Sequence, residues 1–205
     1  MRKLLVLLVA LAVAIPLSAA TASWEFSSVG SSLNNGSGYS LGEVFTVNTT
    51  FTLDFLGYYG SLGNFAESHP VSIYDASGNL LDSTTIDNTS VFTDGFGNFV
   101  YNPVTPITIF AGQTYVIDGA SGFIDPYVWN DSSFTVYAPI NLLGDNWIGG
   151  NGDYFTGTTP IGDVADGFWG PVFGFDAQFT PEPGTMLLAG TALLGAGLLR
   201  RRKKA

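Results

Sequence analysis

The chain has 205 residues and a formal net charge of −10, with seven Lys and Arg against seventeen Asp and Glu, one His and no Cys. A surface this anionic repels phosphates, which excludes nucleic acid as a partner. The absence of cysteine removes thiol catalysis and Cys-based zinc sites, and a single histidine removes any two-histidine metal centre within one chain.

The seven positive side chains sit at the two ends, Arg2 and Lys3 at one and Arg200, Arg201, Arg202, Lys203 and Lys204 at the other. Each cluster abuts an apolar run, residues 4–17 and 186–199. Lys and Arg resist translocation, so such pairs set topology in a membrane. Residues 1–22 read as a signal peptide: a basic start, a short apolar stretch, Pro16, then small residues. Ala20-Thr21-Ala22 supplies a small-x-small site, so cleavage is expected after Ala22, with cleavage after Ala20 as the second choice.

Residues 23–180 form the body and hold sixteen of the seventeen acids. Lacking Lys and Arg, this segment can form a side-chain ion pair only through His69, so stability rests on apolar burial and the backbone ladder. Gly, Asn, Ser, Thr and Asp interrupt every stretch long enough for a helix, whereas period-two alternation is clear. In chain order, strands are expected at 24–28, 43–47, 51–55 (Phe51, Leu53 and Phe55 on one face), 71–74, 80–86, 99–101, 107–110, 114–119, 134–137 and 173–179. Asp75-Ala76-Ser77-Gly78-Asn79 and Ala111-Gly112-Gln113 read as hairpin connections. Residues 141–170, rich in Gly and Asn, read as long loops with one or two short strands. The fold class is all-β, an antiparallel β-sandwich of the jelly-roll type.

After the last expected strand come Pro181, Glu182 and Pro183, which hold the chain extended. Residues 184–199 carry no charge and would span roughly 24 Å as a transmembrane helix. Snorkelling by the basic tail 200–204 would complete the crossing of the inner membrane, with that tail cytoplasmic and the body outside.

Residues 181–205 resemble the PEP-CTERM sorting signal of Gram-negative bacteria in motif, order, spacing and terminal position. The resemblance implies recognition by an exosortase, a membrane-embedded thiol protease, with Pro181, Glu182 and Pro183 as substrate residues. Leu56-Gly57-Tyr58-Tyr59, the stretch from Ser68 to Asp75, Gly78-Asn79-Leu80-Leu81 and the stretch from Ala111 to Ile117 are similar to an uncharacterised sandwich domain frequent in PEP-CTERM proteins. That likeness covers residues 44–120 and implies a fold and a secretion route but no mechanism. Members often carry an acidic residue after the Leu-Gly-Tyr-Tyr stretch, where this chain has Gly60.

No catalytic residue stands out. His69 precedes Pro70 at a strand entry, where ordering a loop is its expected role, and no Gly-x-Ser-x-Gly elbow accompanies it. A glycoside hydrolase needs two carboxylates at a set separation, and nothing singles out a pair among so many. Calcium is the one cofactor the composition suits, through Asp145-Asn146 with Asn151-Gly152-Asp153, or through Asp163 and Asp166. Neither group has EF-hand spacing, so the ligands stay unassigned. Trp129, Trp147 and Trp169, with Tyr127, Tyr154 and Phe155 nearby, either plug one end of the sandwich or stack on sugar rings. The expected function is non-enzymatic: an exported surface or extracellular-matrix component associated with exopolysaccharide. The alternatives are a calcium-dependent carbohydrate-binding module and, after it, a glycoside hydrolase.

Overall fold

A computed structural model gives the fold and describes residues 21–27, 33–34, 38–60, 64–90, 92–93, 99–129, 134–162 and 167–175. Every regular element among them is a strand, and all strand pairs are antiparallel. One five-stranded sheet runs β1 (Thr21–Ala22), β15 (Pro171–Phe175), β5 (Phe51–Tyr59), β9 (Phe99–Ile109), β8 (Phe92–Thr93). The other runs β13 (Ile140–Gly149), β4 (Tyr39–Val47), β10 (Thr114–Ala120), β6 (His69–Asp75), β7 (Leu80–Ile86). Two small sheets complete the description: β14 (Phe168–Trp169), β11 (Tyr127–Trp129) and β3 (Leu33–Asn34), then β12 (Phe134–Val136) with β2 (Trp24–Phe26).

Alternation explains how the two large sheets meet. Phe45 on β4 and Phe173 on β15 are fully buried with ring centroids 4.7 Å apart, so the two inner faces touch through aromatic rings. Trp24, Phe26, Phe134 and Trp169 continue this packing at centroid separations of 4.4–6.4 Å. Each such buried ring contributes roughly 1.5–3 kcal/mol from area alone, the source of stability that a body without Lys or Arg requires. The arrangement is an all-β, sandwich-like fold. Its strands alternate between sheets, β4 in one, β5 in the other, β6 back in the first.

The hairpin at Asp75–Asn79 is as expected. Asp75 Oδ1 accepts from the backbone N–H groups of Ser77 and Asn79, and Gly78 takes a φ of 80°. Three expectations change. The supposed strands 99–101 and 107–110 are one strand, β9, which carries an irregularity where residues 104–106 stand opposite Asp54 alone, so Pro106 falls in unpaired chain and costs little pairing. At that irregularity, between Leu53 and Phe55, the alternation shifts, so Leu56 and Tyr58 take the buried face and Phe55 leaves it. Residues 141–170 open with a long strand where short ones were expected: nine residues of β13 pair along the whole of β4 across a bulge at Leu143, while 150–162 are loop as expected. The polar run Gly144-Asp145-Asn146 resembles a turn in sequence, yet Asp145 and Asn146 are buried strand residues.

Among the described residues no helix is long and apolar enough to cross a membrane. The expected signal peptide up to Ala20, the end of the last strand beyond Phe175, Pro181, Glu182 and Pro183, the span 184–199 and the tail from Arg200 to Lys204 lie outside them.

Candidate functional site

Four strands converge on one apolar cleft. β4 contributes Tyr39 and Leu41, β11 Tyr127 and Trp129, β13 Trp147 and β14 Phe168, and together they enclose a cavity of about 120 Å³. Trp129 and Trp147 are 46% and 42% exposed, far above any core ring. Phe168 stacks on Trp129 with centroids 6.4 Å apart and planes 18° from parallel, and Trp147 meets Tyr39 edge-on at 5.5 Å. The two outer indoles are therefore held by neighbouring rings while a large part of each stays open to solvent. None of the six lining side chains is a carboxylate, an imidazole or a serine. Such a cleft can hold an apolar or stacking ligand, and among the described residues its polar side-chain groups are the hydroxyls of Tyr39 and Tyr127 and the indole N–H groups.

Trp129 and Trp147, expected to be either a plug or a platform, are thus exposed at this cleft. Trp169 is fully buried and packs on Trp24 and Phe26, so it is the plug. Tyr154 is exposed elsewhere, and Phe155 packs on Tyr74. The cleft is scattered over residues 39–168 in sequence, and only Trp129, Trp147 and Tyr127 stand out there.

Beside the cleft lies a pair of buried acids. Along β4, Leu41 and Glu43 share a face, and along β13 Trp147 and Asp145 do the same, with Glu43 directly opposite Asp145. Both side chains are essentially inaccessible, and neither oxygen of Glu43 has a hydrogen-bond partner among the described residues. Burial, then the charges of Asp145 and Asp118, push the Glu43 carboxyl well above its usual range.

On the opposite face, Gly42 leaves room for Asp118 to meet Thr156, accepting from its hydroxyl at 2.6 Å and its N–H at 3.1 Å. Burial nevertheless raises the Asp118 carboxyl to about 7. Asp153 accepts from the Ser72 hydroxyl at 2.5 Å, and Asn151 accepts from Gly122 N–H at 2.8 Å. The three expected calcium ligands therefore do not converge: the Asp145 carboxylate lies against Gly162, Asp153 bonds Ser72 on β6 and Asn151 bonds the loop at Gly122. Asp163 and Asp166 lie outside the described residues, among which no group of three or more His, Asp or Glu converges as a metal site.

His69 is buried, with Nδ1 2.9 Å from the Ala120 carbonyl and Nε2 3.2 Å from Asp125 Oδ2. Asp125 also accepts from Ala66 and Glu67 N–H, while Glu67 Oε1 accepts from Phe123, Ile124 and Asp125 N–H. Two carboxylates thus cap each other's loops, and the imidazole fastens that interlock to β6.

Residues 27–160 match the domain of unknown function DUF4082, and residues 179–203 match the PEP-CTERM protein-sorting motif. No curated protein matches the chain. The first match covers well over half of the sequence, and the chain belongs to the DUF4082 family. The second marks it as an exported exosortase substrate that passes through a membrane-anchored stage on its way to the cell surface or beyond.

Proposed function

We propose that this protein is a non-enzymatic surface or matrix component that holds exopolysaccharide in the cleft of Trp129, Trp147 and Phe168, carried on a sandwich of the jelly-roll type. The observation that carries the reading is the pair of exposed, ring-braced indoles at an uncharged cleft, the arrangement that stacks on the apolar faces of sugars. The body's acidity favours neutral glycans over uronate-rich ones, which it would repel. The processed protein should sediment with a neutral exopolysaccharide, and Trp129→Ala with Trp147→Ala should weaken this at least tenfold without changing the melting temperature. Retention unaffected by both substitutions, or release of sugar from the polymer, would overturn it.

A second reading, calcium-dependent binding, is favoured by one observation. Glu43 is buried with both oxygens unpartnered opposite Asp145, one pleat from the cleft residues Leu41 and Trp147. A hard divalent cation between the carboxylates would remove their repulsion and brace the cleft. Millimolar calcium should then raise the melting temperature where magnesium does not, and Glu43→Gln should abolish the difference. Equal effects of the two ions would leave only general screening.

A further inference from the structure

Thr21 and Ala22 are part of the folded body. They form β1, which pairs with the last described strand, Thr21 opposite Phe175 and Ala22 opposite Gly174. Ala22 is 2% exposed and belongs to the core, between half-exposed Thr21 and fully buried Ser23 and Trp24. The backbone N–H of Ser23 donates to the Phe173 carbonyl at 2.9 Å, and the Ser23 hydroxyl accepts from Phe173 N–H at 3.3 Å. A chain cut after Ala22 would begin at Ser23, losing β1 from the sheet edge and Ala22 from the core, and would put a charged α-ammonium where the intact fold has an amide bonded to the Phe173 carbonyl. A chain cut after Ala20 begins at Thr21, whose partial exposure lets the ammonium stay hydrated.

We propose that the leader is removed at the Ala20–Thr21 bond and that the mature chain begins with β1. The inference rests on reading the first residues as an export leader, and it reassigns the cut within it. Ser18-Ala19-Ala20 meets the same small-x-small requirement as Ala20-Thr21-Ala22, so the sequence permits either bond and the fold separates them. The antiparallel pairing has a second consequence. Thr21, the first described residue, lies opposite Phe175, the last, so the two ends of the described body meet at one end of the β1–β15 pair. Both trimming enzymes would therefore act on chain leading away from that one end of the body.

The full chain, expressed in a Gram-negative host that exports it, can be recovered from the envelope and its N-terminal peptide identified by mass spectrometry. Thr21 as the first residue is expected, and Ser23 would overturn the assignment. A chain still starting at Met1 would overturn the leader reading itself, so the two failures are distinguishable. Ser18→Leu places a bulky residue three positions before the proposed bond, so it should abolish the Thr21 start, leaving the chain uncut or cut after Ala22. A Ser18→Leu chain that still starts at Thr21 would also overturn the proposal.

Discussion

The phenol ring of Tyr58 on β5 stacks on the imidazole of His69 on β6, centroids 4.1 Å apart and planes 7° from parallel. Since β5 and β6 belong to different sheets, this stack joins the two halves of the fold beside the Glu67–Asp125 interlock. The body's one histidine thus works through both its ring face and its ring nitrogens. His69→Phe should keep the stack and lose the polar contacts with Ala120 and Asp125, while His69→Ala should lose both. We expect losses of roughly 1–3 kcal/mol for His69→Phe and a larger loss for His69→Ala in denaturant melts. Equal melting of both variants and the parent would mean that neither contact matters.

The Tyr58 hydroxyl is buried and has no hydrogen-bond partner among the described residues, and burial raises it well above the usual phenol range. Removing an unsatisfied polar group of this kind is neutral or favourable. Tyr58→Phe should therefore melt at the same temperature as the parent or higher. A clear drop would reveal a partner for the hydroxyl.

Glu67 gathers three successive backbone N–H groups of residues 123–125 on one oxygen. Glu67→Ala should cost ~2–3 kcal/mol, since bonds to a charged acceptor exceed neutral ones. Amide exchange in residues 122–125 should quicken with it. Glu67→Gln retains an acceptor oxygen and should recover part of the loss.

How far the sequence could be read depends on whether the signal is local. The Asp75–Asn79 turn was legible because Asp75 binds its own neighbours and Gly78 supplies the positive φ. Strand β13 was not, because the polarity of Asp145 and Asn146 is answered by residues distant in the chain: Asn146 donates to Gly157 O and accepts from Ile161 N–H. The shift at Phe55 falls where three residues of β9, 104–106, stand opposite Asp54 alone, which no pattern within β5 records. The cleft is the extreme case. Its six residues come from four strands, and only pairing of β13 with β4 and β11 with β14 brings Trp147 and Trp129 to Phe168.

Gly42 is the close-approach point for residues 150–157. A Cβ there would lie 2.1 Å from both Asp118 Oδ1 and Thr156 Oγ1, atoms that bind each other. Gly42→Ala should separate Thr156 from Asp118 and destabilise the protein by ~1–3 kcal/mol. Limited proteolysis should then cut within 153–157 well before global unfolding. An unchanged cleavage pattern would show that the segment is held by other contacts.

The buried acids set the response to pH. Asp118 is raised to about 7 by burial, and Glu43 is raised by burial and by its neighbours Asp145 and Asp118. A carboxyl with a folded pKa above its unfolded value of roughly 4 binds its proton more tightly in the native state. The stabilisation is therefore complete below about pH 4 and is lost as pH rises through about 7. Asp75 and Asp87 are shifted the other way by hydrogen bonds from Asn79 and Thr89, so their smaller contribution fades as pH falls below about 4. Together these place the maximum melting temperature near pH 4–5, with a decline toward pH 8. Asp118→Asn and Glu43→Gln should each flatten the decline, raising the melting temperature at pH 8 with little effect at pH 4. If calcium occupies the Glu43–Asp145 pair, saturating calcium should flatten the parent's decline and leave Glu43→Gln unmoved. A parent that melts higher at pH 8 than at pH 5 without calcium would show that these carboxyls are solvated in the native state.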